Sequence, residues 1–148
     1  MRAVVQRVTE ASVTVDGETI GAIRNGLCVL LGVSTGDTQA DADYISDKLI
    51  GLRIFDDENG VPNKSVVDVG GAILLISQFT LLGDARKGRR PSYFDAARPE
   101  TAIPLYESCI ETLKKTVPVA TGRFGADMKV SIQNDGPFTI LLDSRKGF

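Results

Sequence analysis

The sequence predicts an α+β fold in which a mostly antiparallel β-sheet curls towards a barrel and carries two main flanking helices. Four strand-like segments fall within the first 33 residues, which favours a meander or curled sheet over a βαβ start. Two further segments have apolar residues three or four positions apart, the spacing of one buried helical face. No repeat, linker or low-complexity tract interrupts the 148 residues. We therefore expect a single domain over 1–148, long enough to bury a core.

The N-terminal strands are predicted from valine-rich alternation and from the turns between them. The segments 1–8 and 11–15 alternate apolar and polar residues, and each predicts a strand. An Asp-Gly turn, which is a strong hairpin signal, leads into a third strand over 18–23. An Asn-Gly turn precedes a fourth over 27–33, which is almost continuously apolar. We expect this fourth strand to be central in the sheet.

The rest of the chain supplies two helices and the remaining strands. Helices are predicted over 39–52 and 102–116, where apolar residues recur with helical spacing. A buried strand is predicted over 72–76, and the last two strands, 128–133 and 138–142, flank an Asn-Asp-Gly-Pro sequence. Short extended segments are also predicted, at 53–55 and 117–121.

The composition excludes several kinds of chemistry, because the chain contains no histidine. The usual general base near neutral pH is missing, Ser-His-Asp and Cys-His catalysis is excluded, and the commonest zinc ligand is absent. Cys28 and Cys109 lie in apolar-patterned segments, which predicts buried free thiols of a reduced, cytoplasmic protein. We expect no metal and no cofactor. The chemistry must then use hydroxyls, amides, backbone dipoles, carboxylates or a group on the substrate.

The pattern of charge and hydropathy points to one class of partner. No apolar run approaches the roughly 18 residues of a membrane span, so we expect no membrane contact. The net charge of −2 is not that of a general nucleic-acid binder. Residues 83–98 nevertheless hold five bases against two acids, with Lys87, Arg89 and Arg90 close together. This patch suits a phosphate-bearing end with an unpaired base, although a merely solvated loop is the alternative.

Polar side chains follow the predicted strand over 72–76, at the point where the chain leaves it. Alternation along an extended chain places Ser77 and Phe79 on one face, and Gln78 and Thr80 on the other. A glutamine amide can donate to an oxyanion, and a threonine hydroxyl can orient water or attack if it is activated. These residues are therefore candidates for catalysis. The alternative is that they are satisfied polar residues at a strand end.

Two further features stand out between apolar neighbours. Gly136 and Pro137 lie between two predicted strands, where proline cannot donate to a ladder and glycine permits unusual backbone angles. Together they predict a rigid kink with exposed carbonyls, unless they form an ordinary hairpin turn. Arg7 lies on the first strand and, if partly buried, needs acceptors such as exposed carbonyls. An edge position without a role is the alternative for Arg7.

Taken together, these stretches resemble one family over essentially the whole chain and in the same order. The segments that carry the resemblance are MRAVVQRV, Ser77–Leu81, Lys87–Ser92, Phe124–Met128 and Asn134–Thr139. They are similar to the D-aminoacyl-tRNA deacylases, and Ser-Gln-Phe-Thr-Leu together with a C-terminal Gly-Pro-x-Thr is a specific pair. Phe138 stands where many members are expected to carry a smaller β-branched residue.

The resemblance implies a homodimer in which each partner inserts its Gly136-Pro137 step, with a cis peptide bond, into the active site of the other. The two carbonyls would face the α-carbon of the substrate and reject an L side chain by collision. Arg7 would hold the kink in orientation.

The resemblance also implies roles for the remaining candidates. Ser77, Gln78, Phe79 and Thr80 would line the pocket, with the N–H of Phe79 or of Thr80 as an oxyanion donor. Phe124 and Met128 would flank the terminal adenine of the acceptor end of an aminoacyl-tRNA. The loop with Lys87, Arg89 and Arg90 would contact the acceptor-stem phosphates.

The implied activity is hydrolysis of the ester of D-aminoacyl-tRNA, and to some extent of glycyl-tRNA. The ester is already activated, and the terminal ribose has a free neighbouring hydroxyl, so water can attack without a protein base. That agrees with the absence of histidine, and we prefer it to a Thr80 nucleophile. The alternative is a non-catalytic dimeric module that binds tRNA or senses amino acids. A general small esterase is disfavoured by the missing base.

Overall fold

The computed structural model describes all residues, 1–148, and contains eight strands, two α-helices and one 3₁₀ turn. The strands are β1 (Arg2–Val15), β2 (Glu18–Ile23), β3 (Gly26–Gly32), β4 (Phe55–Asp56), β5 (Pro62–Lys64), β6 (Ala72–Ser77), β7 (Val119–Thr121) and β8 (Lys129–Asp143). The helices are α1 (Gln39–Gly51) and α2 (Pro99–Lys114), and the 3₁₀ turn spans Phe79–Leu82. Neither helix combines the length and the apolar character that crossing a bilayer requires.

The long strand β1 organises the main sheet. It pairs antiparallel with β2, β3 and β8, whereas β3 pairs parallel with β6, and β6 with β7. The strand order β2-β1-β3-β6-β7 brings the two ends of the sheet together: a Cβ on Gly21 of β2 would lie 2.5 Å from the carbonyl oxygen of Thr121 on β7. The sheet is mixed and nearly closed into a barrel, and the predicted fold class is confirmed.

The central strands are buried on both faces. Leu27, Val29 and Leu31 of β3 belong to the larger core, which both helices cover. Cys28 of the same strand packs with Leu74 of β6 in a smaller core on the other face. Burial on two faces explains why β3 and β6 are almost continuously apolar in sequence.

Both cysteines are buried free thiols, as predicted. Burial raises the pKa of Cys28 to about 11 and the pKa of Cys109 to about 11. Neither side chain is therefore a thiolate near neutral pH, and neither has the character of a nucleophile.

The predicted element boundaries differ from the structure by a residue or two at several ends, and by more at three places. The segments 1–8 and 11–15 form one strand, β1, because the polar residues between them still lie in the ladder with β8. The segments 128–133 and 138–142 are likewise joined within β8. Helix α2 begins at Pro99, three residues before the predicted start, since proline suits the first helical position.

Candidate active site

The predicted Ser-Gln-Phe-Thr residues lie where the chain leaves the buried strand β6. The N–H of Gln78 donates to the carbonyl of Leu31 (2.8 Å), which ties the strand end to β3. The chain then turns into the 3₁₀ segment, whose first hydrogen bond runs from the N–H of Leu81 to the carbonyl of Gln78 (3.2 Å). The N–H groups of Phe79 and Thr80 precede that bond, so they have no partner within the turn.

This turn shows that the two faces predicted from strand alternation are wrong. Residues from Phe79 onward are not extended, so the faces assigned to Ser77 and Phe79 and to Gln78 and Thr80 do not apply. Gln78 and Thr80 nevertheless interact, because the Gln78 side-chain amide donates to the Thr80 hydroxyl. The tight turn, rather than a shared strand face, brings the two side chains together.

A cavity of about 270 Å³ opens at this end of β6. Five of the residues predicted for the site line it: Ser77, Gln78, Phe79, Phe124 and Met128. Thr80 is exposed at its rim and is not among the lining residues. A larger and shallower groove of about 560 Å³ lies along β1, β2 and β8 and contains none of the predicted residues.

The inner wall of the cavity includes Tyr106 on α2, which lies within the helix predicted over 102–116 but was not predicted to belong to the site. The Tyr106 hydroxyl donates to the carbonyl of Leu75 (2.8 Å), and the Tyr106 ring lies 6.0 Å from the ring of Phe124. Burial raises the pKa of Tyr106 to about 12. Tyr106 is the only lining residue with a titratable side chain, so no group in the wall titrates near neutral pH.

Met128 is positioned by a close approach of the backbone. A Cβ on Gly122 would lie 2.5 Å from the Met128 sulfur, so a larger residue there would force the flexible thioether to move. Phe124 and Met128 thus enter the cavity from the segment between β7 and β8. Their spacing in the sequence did not reveal this convergence, and the resemblance alone had linked them.

The basic loop divides into a paired base and free cations. Arg86 forms an ion pair with Asp84 (2.7 Å), and antiparallel bonds between Asp84 and Ser92 close the loop. The three bases named in the sequence analysis are exposed and have no carboxylate within 4.0 Å: Lys87, Arg89 and Arg90. Arg98, at the end of the same segment, is also exposed and forms no ion pair, so four side chains carry the free positive charge of residues 83–98.

The Gly-Pro step forms a bulge on β8. Gln6 of β1 is opposite Thr139, and Val8 is opposite Asn134. An advance of two residues along β1 therefore corresponds to five residues along β8, and the extra residues of β8 project from the ladder. The bond between Gly136 and Pro137 is cis, as the resemblance implied, and both residues are exposed. The structure thus contains an exposed kink rather than a simple hairpin turn.

Arg7 holds this bulge. It is only 9% exposed, and it donates to the carbonyls of Asp135 (3.0 Å) and Ile54 (2.8 Å). Its guanidinium carbon lies 4.7 Å from the ring centre of Phe138, a favourable cation–π distance. Carboxylate oxygens of Asp56 and Asp135 lie within 3.6 Å. The alternative that Arg7 is an edge residue without a role is not supported by these contacts.

The backbone at the bulge leaves no room for a larger residue than glycine at position 136. Gly136 has φ +136°, and a Cβ there would lie 3.2 Å from a guanidinium nitrogen of Arg7. Asn134 closes the base, because its side-chain oxygen accepts from the N–H of Phe138 (2.8 Å) and its amide donates to Thr139 (3.1 Å). Asn134 belongs to a segment that carries the family resemblance, but no role was predicted for it, although the tendency of asparagine to bond nearby backbone could have indicated one.

The bulge and the cavity do not meet within one chain. Arg7 is in register with Leu27, which is in register with Ile73, and Ile73 precedes Ser77 by four positions on β6. That is about 13 Å along a strand, and β8 lies three strand spacings, about 14 Å, from β6. The two halves of the predicted site are therefore separated by a distance on the order of 20 Å across the sheet.

Comparison with known proteins first defines the class. The sequence profile of the family described as D-Tyr-tRNA(Tyr) deacylase matches residues 4–143, so the protein is an enzyme of the tRNA deacylase class. A D-aminoacyl-tRNA deacylase of Clostridium botulinum (strain 657 / Type Ba4) is 60% identical over 149 residues, covering 100% of both chains. Another, of Thermosipho melanesiensis (strain DSM 12029 / CIP 104789 / BI429), is 57% identical over 150 residues with the same coverage. The chain belongs to the D-aminoacyl-tRNA deacylase family.

Two solved structures share the fold. One, described as c-Myc DNA Unwinding Element Binding Protein, has a TM-score of 0.92 and 50% identity, covering 97% of this chain and 98% of that chain. The other, described as a probable eukaryotic D-amino acid tRNA deacylase, has a TM-score of 0.83 and 16% identity, covering 95% and 97%. At that lower identity, the second similarity concerns the fold alone.

Proposed function

We propose that this protein hydrolyses the ester bond of D-aminoacyl-tRNA and releases the free D-amino acid and the tRNA. The observation that carries the proposal is the cavity at the end of β6, where five residues predicted for the site converge in a chain that belongs to this family. We further propose that the protein acts in the cytoplasm, where charged tRNA is used.

In this proposal, the aminoacyl-adenosine end of the substrate occupies the cavity. Phe124 and Met128 line the cavity and offer an apolar, polarisable surface to the adenine ring. Lys87, Arg89 and Arg90 lie on the exposed loop that continues from the 3₁₀ turn, where their unpaired charges suit acceptor-stem phosphates. The aminoacyl carbonyl then lies near the turn formed by Phe79 and Thr80.

Hydrolysis proceeds by attack of water on the ester carbonyl, with the free hydroxyl of the terminal ribose assisting. The carbonyl carbon gains the water oxygen, the ester oxygen leaves with the ribose, and the water proton passes to the leaving oxygen. The N–H groups of Phe79 and Thr80, which have no partner within the turn, stabilise the developing oxyanion. This route fits a wall whose only titratable side chain is Tyr106.

Chirality is selected by the carbonyl oxygens of Gly136 and Pro137 from a second copy of the chain. The two residues are exposed and lie too far from the cavity of their own chain to act there, as the strand register indicates. A rigid pair of backbone oxygens beside the α-carbon leaves space for hydrogen on that side but not for an L side chain. Arg7 keeps the pair in place through its bond to Asp135.

The homodimer that this chiral selection requires is supported by β8, which has an unpaired edge. That strand is 15 residues long and pairs only with β1, so one of its edges has no strand partner in the chain. Ile132 and Leu141 on β8 are exposed large apolar side chains. A long edge strand with such side chains normally needs a cover, and a second copy supplies one.

Purified protein mixed with D-tyrosyl-tRNA and with L-tyrosyl-tRNA tests the proposal. We expect rapid loss of the ester from the D form and little loss from the L form. The second candidate, a non-catalytic dimeric module that binds tRNA or senses amino acids, predicts affinity for charged tRNA without turnover. Binding of both forms with no ester loss above the spontaneous rate rejects hydrolysis and favours that second candidate.

Thr80→Ala distinguishes assisted water attack from covalent catalysis. Because we assign the attack to water, we expect the variant to keep substantial activity, with turnover reduced by no more than about tenfold. Thr80→Ser is the matched control and keeps the hydroxyl. Single-turnover kinetics and binding should be measured together, because intact binding with an abolished rate indicates that Thr80 is the nucleophile.

Glycyl-tRNA tests the backbone wall. Glycine has no side chain to collide with the oxygens of Gly136 and Pro137, so we expect measurable hydrolysis of glycyl-tRNA. L-alanyl-tRNA is the matched control, because it adds a single methyl group and should resist. Equal and complete resistance of both substrates would contradict selection by collision.

A further inference from the structure

An unusual exposed aromatic surface adjoins the cavity. The Phe94 side chain is 88% exposed, the highest value among the large apolar residues that face solvent, and Tyr93 and Phe79 are 41% and 56% exposed. The rings of Phe79 and Tyr93 meet edge to face at 5.1 Å. Since Phe79 also lines the cavity, its contact with Tyr93 joins the cavity to the segment that carries Phe94.

The backbone beneath Phe94 is fixed, although its side chain is free. The N–H of Thr35 donates to the carbonyl of Asp95 (2.8 Å), and the N–H of Ala97 donates to the carbonyl of Val33 (2.9 Å). These bonds fasten the segment after Phe94 to the residues that follow β3. An exposed ring on a fixed backbone suits a flat partner, because binding then costs little further conformational entropy.

The charges around this surface indicate what kind of partner it fits. Lys87, Arg89 and Arg90 precede it on the same loop and have no ion-pair partners, whereas Arg86 is neutralised by Asp84. Asp95, directly after Phe94, is an exposed acid that also forms no ion pair, so the unpaired charge near this surface is positive on balance. An occupant must therefore offer both negative charge and flat faces. Single-stranded nucleic acid has both, with phosphates for the cations and bases for the rings.

We propose that Phe94, supported by Tyr93, is the stacking platform for the unpaired base that precedes the terminal adenosine of the tRNA end. This inference rests on the proposed function, which places that adenosine in the cavity beside Phe79. Phe94 is then a binding residue that strengthens binding only when the substrate contains a second nucleotide. It has no contact with the ester itself.

Substrates of graded length test the platform in the wild-type protein and in Phe94→Ala. We expect a rise in KM of about five- to tenfold for D-tyrosyl-tRNA and for the D-tyrosylated trinucleotide CCA, with kcat unchanged, because the loss of one stacked base is at the low end of measured values. For D-tyrosyl-adenosine, which lacks the preceding base, KM should stay the same. Phe94→Leu keeps an apolar side chain without a ring face and should resemble Phe94→Ala.

Phe94→Trp gives a second readout that needs no turnover. The chain contains no tryptophan, so the new indole is the only one and reports on its own surroundings. We expect its fluorescence to be quenched by the trinucleotide CCA and left unchanged by adenosine alone. Fluorescence anisotropy of a labelled hairpin ending in CCA should show weaker binding to Phe94→Ala by a similar factor.

Failure of the proposed function and failure of the stacking platform give different results. If the wild-type protein hydrolyses no substrate while Phe94→Ala still weakens binding of the hairpin, the proposed function fails and the platform stands. If the wild-type protein is active and Phe94→Ala leaves every KM and the hairpin affinity unchanged, the platform is overturned. A shift of Phe94→Ala from dimer to monomer in sedimentation, with unchanged affinity for the trinucleotide, overturns it as well and makes a second copy the occupant.

Discussion

The two halves of the proposed site are stabilised in different ways. The cavity half follows a strand, β6, that is buried on both faces, so the packing of the whole core fixes where Gln78 and Phe79 emerge. The bulge half projects from β8, which has a strand partner on one side only. There a single side chain, Arg7, bonds the backbone of Asp135 and of Ile54.

This difference indicates how each half responds to substitution. Core packing is spread over many residues, so no single polar side chain at the cavity is needed for the fold. The bulge depends on a few hydrogen bonds from two side chains, Arg7 and Asn134. Loss of Arg7 leaves the carbonyls of Asp135 and Ile54 without these donors. We therefore expect changes at the cavity to alter rate alone, and changes at Arg7 to alter both rate and stability.

Arg7→Ala is expected to have the largest effect. It removes the donors to Asp135 and Ile54 and the cation beside Phe138, which should lower the free energy of unfolding by about 3 kcal/mol. Without its support the bulge moves, so we expect deacylation of D-tyrosyl-tRNA to fall by more than about 100-fold. Urea unfolding and single-turnover kinetics on the folded variant measure the two effects separately.

Arg24→Ala is the matched control, because Arg24 is an exposed arginine of the same sheet region and forms no ion pair. It should stay within about 0.5 kcal/mol of the wild-type stability. Arg7→Lys should recover only part of the loss, since an ammonium cannot reproduce the planar fork of the guanidinium. A fully active and fully stable Arg7→Ala protein would show that the bulge is held by other means.

Gln78→Ala tests the cavity half, with an intermediate effect. Gln78 is half-buried, and its side-chain amide donates only to the exposed Thr80 hydroxyl. We expect the free energy of unfolding to change by less than about 0.5 kcal/mol, while deacylation falls about tenfold or more, because the Gln78 amide can donate to the developing oxyanion. Gln133→Ala, at an exposed glutamine of β8, should change neither quantity. A large loss of stability in Gln78→Ala would remove the contrast between the two halves.

The same contrast explains what the sequence could predict. The buried strands were predicted because apolar runs such as 72–76 leave few other structures possible. Likewise, helices over 39–52 and 102–116 followed from spacing, and the observed α1 and α2 differ from them only at the ends. Patterns of local sequence report which residues are buried, and burial fixes most of this fold.

The site was harder to predict, because its contacts join residues far apart in the chain. Nothing near Arg7 in sequence indicates that it bonds Ile54 and Asp135, and nothing near Tyr106 indicates its bond to Leu75. The 3₁₀ turn at Phe79 was read as extended chain, since phenylalanine and threonine favour strands. Resemblance to a family named the residues of the site, and only the fold shows which of them meet in one chain.

Asp84 and Arg86 provide the smallest effect, because their ion pair lies in solvent, whereas the Arg7 side chain is buried. Asp84 accepts from the Arg86 side chain at 2.7 and 2.9 Å and from its backbone N–H at 3.0 Å. These hydrogen bonds, from the side chain first and the backbone next, lower the pKa of Asp84 to about 2. An unfolded aspartate has a pKa of about 3.9. The stabilisation is therefore present above about pH 4 and is lost as the pH falls towards 2.

Asp84→Asn should remove the part of the acid-induced loss of stability that comes from this ion pair, and leave the part that comes from other groups. At pH 7 we expect Asp84→Asn to lower the urea midpoint slightly, by the same small amount that the wild type loses at low pH, since an exposed ion pair contributes little where water competes for both charges. Between about pH 4 and 2, the midpoint of the wild type should fall more steeply than that of the variant. Arg86→Ala removes the donor instead of the acceptor and should flatten the same window. Arg7→Ala should instead destabilise over the whole pH range, because the carbonyls of Asp135 and Ile54 that Arg7 bonds do not titrate. If Asp84→Asn and the wild type lose stability in parallel through this window, the Asp84–Arg86 pair does not differ from ordinary solvated charges.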